Sequence, residues 1–135
     1  MDMQLSNIWL AAAVILGFQV TWFIWRVSRE VLMRSKGAPT WLPRADIVNL
    51  ISMTLIVIGV FILPILGVRD LNIMKAFFGL AILLFVGYPF ALIGHYKLYK
   101  WRIDDHSYCP QQEKIVIYII GALTIIYIIL SIVIR

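Results

Sequence analysis

The segment from His95 to Cys109 gathers reactive side chains: His95, Asp104, Asp105, His106, Tyr108 and Cys109. A carboxylate, an imidazole and a thiol within six residues can bind a divalent metal. Cys109 with His106, three residues earlier, can pair a nucleophile with a base. The spacing matches no standard ligand pattern, and no second cluster accompanies it. A nucleophile also needs a pocket and an oxyanion site, which a short loop does not supply. The simpler reading is that Asp104 and Asp105 end a helix and balance Lys97, Lys100 and Arg102. No metal and no cofactor is therefore expected. Arg44, Asp105, His106 and Cys109 stand as the candidate catalytic residues. The chain has one cysteine, so an internal disulfide and dithiol redox chemistry are excluded.

A second set of polar side chains lies inside apolar surroundings. Gln19 and Asn49 carry amides that cost free energy in hydrocarbon unless paired. The Gln19 and Asn49 levels permit a contact between them only if Gln19 points toward the inner end. Each apolar run also carries a stripe of small or polar residues. These are Ala13, Gly17 and Thr21 in the first, and Asn49, Ser52, Ile56 and Gly59 in the second. The last has Gly121, Thr124, Ile128 and Ser131; the third has Ala76, Gly79, Gly87 and Ala91. Small residues let helix backbones approach closely in lipid, so the stripes read as packing seams. The sharper reading is a polar cavity between the first, second and fourth helices. No Asp, Glu, Lys, Arg or His occupies the middle third of any run. Ionisable groups at that depth mark ion pathways, so ion-coupled transport is disfavoured.

These residues are positioned by four apolar runs, Ile8–Trp25, Ile47–Gly67, Ala76–Ile93 and Ile115–Ile134. Each is about the length a helix needs to cross a hydrocarbon core. The 135 residues are 62% hydrophobic and 14% charged, with mean hydropathy +0.92. A soluble domain of this size cannot hide that much apolar surface. The expected fold is an all-α integral membrane protein, a four-transmembrane-helix antiparallel bundle in a single domain over residues 1–135. Its helices are expected near 7–36, 46–67, 72–102 and 110–134.

The net charge is +5 and unevenly placed. Arg26, Arg29, Arg34, Lys36 and Arg44 lie in the first gap, and Lys97, Lys100, Arg102 and Lys114 in the third. The middle gap holds Arg69 and Lys75. The positive-inside rule therefore puts both basic loops in the cytoplasm and both termini on the non-cytoplasmic side. A bacterial inner membrane is the expected setting. Arg26, Arg29, Lys97, Lys100 and Arg102 are expected to face anionic headgroups, and nucleic acid is not an expected partner. The N-terminus has no basic n-region, and its apolar run ends in Trp22-Phe23-Ile24-Trp25-Arg26. It reads as a retained helix and not a cleaved signal.

Local signals refine the elements. Ser6 or Asn7 can start the first helix. Glu30 and Arg34 are spaced as an i,i+4 pair in an expected cytoplasmic continuation of the first helix, which Gly37 with Pro39 stops. Trp41 suits an interfacial anchor. Asp46 can cap the second helix, and Pro64 predicts a mild kink near its outer end. Gly67-Val68-Arg69-Asp70 predicts a tight turn. Gly87-Tyr88-Pro89 predicts a bend in the third helix. Pro110 suits the first position of the fourth, with Glu113 in its first turn.

Arg44-Ala45-Asp46-Ile47-Val48-Asn49 resembles the opening of the second helix in the membrane-associated eicosanoid and glutathione enzymes. These are small four-helix proteins with cytoplasmic active loops. The resemblance covers a handful of residues. It implies an enzyme acting on a lipophilic substrate. The glutamate the family places three residues after the asparagine is Ser52 here, and its later arginine and tyrosine positions find no match. The leading expectation is instead a non-enzymatic protein acting through helix–helix contacts with another membrane protein or itself. An accessory, immunity or regulatory protein would work in this way. An oligomeric channel or carrier for a small solute, lined by the second or fourth stripe, is the other alternative.

Overall fold

The computed structural model describes residues 5–35, 42–68, 70–96 and 111–133, and all elements among them are helical. Helix α1 is Leu5–Ser35, α2 is Arg44–Ile65, α3 is Leu71–His95 and α4 is Gln111–Val133. All four are long and apolar enough to cross a membrane, which makes this a multi-pass membrane protein. The Gly37 stop, the Trp41 anchor, Pro110 and the segment beyond Tyr96 lie outside the described residues.

The turn from α2 to α3 follows from Gly67. Its φ of +97° is open to glycine at little cost. Val68 N–H donates to Leu63 O at 2.9 Å and Gly67 N–H to Pro64 O at 3.1 Å, which closes the end of α2. Asp70 then caps α3, its carboxylate accepting from the backbone N–H of Asn72 at 2.8 Å and Ile73 at 3.3 Å.

Pro64 shapes α2 one turn earlier. Proline has no N–H, so it cannot donate to the Val60 carbonyl. The chain winds as a π-helix over Val57–Ile62 and returns to α-helix at Leu63–Ile65. The Trp9 indole of α1 donates to Val60 O at 2.9 Å. A carbonyl left over in hydrocarbon thus finds a donor on a neighbouring helix. In α3 the helix continues through Pro89 to His95.

Helices α2 and α3 pack most closely, α4 lies against α3, and α1 lies across α2 and α3. Among the described residues α1 and α4 do not meet. One apolar core joins Ile8 and Ala12 to Ile56, Val60, Met74, Phe78 and Ala81. A second, at the other end, joins Ala45 and Val48 to Leu84, Tyr88, Ala91, Leu92 and Ile120. In lipid these contacts stabilise by close packing, since tails are as apolar as the side chains they replace.

Glycines mark the tightest approaches. Phe77 lies where a Gly59 side chain would go, and Tyr127 occupies that place at Gly79. At Gly94 an added Cβ would sit 2.9 Å from the Glu113 backbone N and 3.0 Å from the Gln112 carbonyl. Backbone cannot rotate away, so Gly94→Ala must push α3 and α4 apart. It should destabilise the bundle by about 1–3 kcal/mol. Gly121 meets nothing within 4 Å, and Gly121→Ala should stay within about 0.5 kcal/mol. SDS-titrated unfolding in micelles, followed by circular dichroism, checks both. Equal midpoints for the two variants would contradict the assignment.

The seams differ from those expected. On α1 the residues turned inward are Ile8, Ala12, Gln19 and Arg26, while Ala13, Gly17 and Thr21 face out. On α2 the Asn49, Ser52, Ile56 and Gly59 stripe is buried. On α4, Gly121 and Ile128 are exposed; Gln112, Glu113 and Ile120 are buried and Thr124 is half-buried. Tyr127 reaches across to donate to Ala76 O at 3.1 Å. Large side chains that bridge polar backbone therefore override the small-residue pattern on α1 and α4.

Candidate functional site: a buried polar end

The apolar cores are interrupted by polar side chains from all four helices. Their position follows from the ends of the apolar runs. Arg26 closes the run of α1, Asp46 lies in the first turn of α2, His95 ends α3, and Glu113 lies in the first turn of α4. Packing the start of α2 and of α4 against the end of α3 brings these groups together.

Arg26 is fully buried, as are Asp46 and Glu113. Arg26 Nη1 donates to Glu30, one turn along α1. Its Nε lies 3.9 Å from Asp46 Oδ2, an ion-pair distance too long for a hydrogen bond. Asp46 Oδ1 accepts from the Tyr88 hydroxyl at 2.9 Å. Arg26 and Asp46 persist at this depth because each faces an opposite charge. Arg26 is thus buried inside the bundle, where its place in a basic run suggested an open contact with headgroups. Glu30 pairs with Arg26 one turn back and not with Arg34. Arg29 is exposed, its guanidinium 4.9 Å from the Tyr96 ring centre; that of Arg26 is 5.4 Å away. Burial pushes the Tyr96 phenol above its ordinary value, against the pull of both arginines, which keeps the hydroxyl a donor.

Glu113 ties three helices. One carboxylate oxygen accepts from the Ala45 N–H at 2.9 Å, and the other lies 3.0 Å from His95 Nδ1. The cap of α2 thus comes from α4. Pro43 sits at the N-cap position with no side-chain bond, and Asp46, expected to cap, turns to Tyr88 and Arg26 instead. Burial explains the exchange. The amide and both carboxylates all need partners away from water, and this arrangement supplies each.

Deeper in, Gln19 Nε2 donates to Ser52 Oγ at 2.6 Å, and Ser52 Oγ donates to Ala81 O at 2.6 Å. This chain joins α1, α2 and α3. Gln19 thus reaches Ser52 and not Asn49, whose amide nitrogen contacts Met53 Sδ at 3.8 Å. Among the described residues, Gln19 Oε1, Asn49 Oδ1, Arg26 Nε, Arg26 Nη2, Tyr96 Oη and Thr124 Oγ1 are buried without a hydrogen-bond partner. Ser131 bonds its own helix at Ile128 O.

No family model, curated protein or solved structure matches the chain. The site therefore rests on its own geometry. Arg44 is exposed at the start of α2, beside the cluster in sequence but not bonded into it in any described contact. Lys97, Lys100, Arg102, Asp105, His106 and Cys109 lie outside the described residues. Among the described residues no three His, Cys, Asp or Glu side chains converge as a metal site would require. Tyr88, Tyr96 and Glu113 are not among the site residues read from the sequence, and His95 enters there only as part of the His95–Cys109 segment. The available signal for His95, Tyr96 and Glu113 is their place at the ends of apolar runs, where a polar residue is either solvated or paired; Tyr88 lies within its run.

Proposed function

We propose that this is a non-enzymatic membrane protein that works by lateral contact between α1 and a helix of another membrane protein or a second copy. Its helices would run antiparallel, with both termini on the non-cytoplasmic side of a bacterial inner membrane. Two features support that arrangement: the charge bias of the loops, and the pairing of the α1 start with the α2 end through Trp9 and Val60.

One observation carries the functional reading. Ala13, Gly17 and Thr21 form a small-residue stripe that faces away from the bundle, and nothing lies within 4 Å of a Cβ built at Gly17. Such stripes let two membrane helices approach closely. Within one copy this one is unused. An accessory, immunity or regulatory role fits a small bundle with such a face. A channel lined by the Asn49–Gly59 stripe is the weaker reading, because that stripe is buried inside a single copy.

The test is Gly17→Leu. The variant should lose association by at least tenfold, read as energy transfer between labelled chains in vesicles and as co-purification in mild detergent. Its unfolding midpoint should match the wild type, since Gly17 touches nothing inside the bundle. Retained association, or a wild-type chain that stays monomeric without a partner, would refute the proposal.

A further inference from the structure

Donors are in surplus at the corner where α1 meets the end of α3. Arg26 is fully buried, yet its Nε and Nη2 have no hydrogen-bond acceptor among the described residues. The Tyr96 hydroxyl is buried and equally unmatched. Arg29 places a second guanidinium over the same Tyr96 ring, 4.9 Å from its centre. The neighbouring carboxylates are already engaged. Glu30 holds Arg26 Nη1, Asp46 Oδ1 holds the Tyr88 hydroxyl, and Asp46 Oδ2 faces Arg26 Nε at ion-pair range. Glu113 is held by Ala45 and His95. What remains is a set of unmatched N–H and O–H donors.

We infer that Arg26, Arg29 and Tyr96 form a binding corner for a phosphate group. Phosphoryl oxygens accept several hydrogen bonds at once and suit the planar fork of arginine. Arg29 is exposed and the Glu30 side chain is 25% exposed, whereas the Arg26 and Tyr96 donor atoms are themselves buried, so a ligand meets Arg29 first. It also lies at the ends of two membrane-crossing runs, the level at which lipid phosphates occur. The two guanidiniums and the two nearby carboxylates cancel, so binding depends on donor geometry as well as on charge. Arg26 is the buried anchor, Arg29 closes over the ligand, and Tyr96 orients both. The inference does not depend on the Gly17 contact, which lies on another face of α1.

The experiment titrates the full chain in detergent with short-chain phosphatidylglycerol, inorganic phosphate and, as control, short-chain diacylglycerol. Binding is read by native mass spectrometry and by the unfolding midpoint. Saturable phosphatidylglycerol binding that inorganic phosphate does not displace identifies a lipid headgroup. Equal occupancy by inorganic phosphate identifies a free phosphate. Either result supports the site, provided Arg29→Gln and Tyr96→Phe each weaken it, by roughly tenfold for the charged contact. Both variants keep the buried Arg26 and should unfold normally in the absence of ligand. Unsaturable binding of both phosphate probes, undiminished binding by both variants, or diacylglycerol binding as tight as phosphatidylglycerol would overturn it.

Discussion

Arg26→Met is expected to lower the unfolding free energy by about 3–5 kcal/mol, because it leaves a buried carboxylate without its cation. Asp46 is the group stranded. It keeps the Tyr88 hydroxyl at 2.9 Å but loses the guanidinium that faces its second oxygen at 3.9 Å. Methionine fills much of the volume, so the loss measures electrostatics more than packing. Adding Asp46→Asn removes the stranded charge and should recover most of the loss. SDS-titrated unfolding of both variants supplies the measurement. A double variant no more stable than Arg26→Met alone would show that the pair is not the cause.

Glu113→Ala is expected to cost about 2–4 kcal/mol, since it leaves the Ala45 amide and the His95 ring without their acceptor. Both bonds cross between helices, at 2.9 and 3.0 Å. Glu113→Gln keeps an acceptor oxygen for the amide and should cost less than half as much. The distinguishing readout is local. Hydrogen exchange at the Ala45 amide should quicken in Glu113→Ala and stay slow in Glu113→Gln. Unchanged exchange in the alanine variant would mean that α2 needs no help from α4 at its start.

The four membrane-crossing runs were legible because lipid imposes length and apolarity on each span independently. Nothing about a neighbour is needed to read them. The buried polar end was not legible, for the opposite reason. Arg26 follows Trp25 and belongs by sequence to a basic run, so it reads as a headgroup contact. Only its approach to Asp46, from a different helix, reveals a buried ion pair. Glu113 read as an ordinary first-turn acid, whereas its partner Ala45 stands 68 positions earlier. Pro64 lay between these cases. Its missing N–H announces a freed carbonyl, but not that Trp9 would supply the replacement. The α1 seam misled because small-residue spacing marks close approach without stating to which chain.

The distance in sequence between Ala45 and Glu113 bears on how the protein is made. The ribosome delivers α2 into the membrane long before α4, and until then the opening turn of α2 has an amide with no acceptor. The later-made α4 therefore locks α2 in place. Chains truncated before Gln111 should insert, yet leave this corner open to proteases that spare the finished bundle.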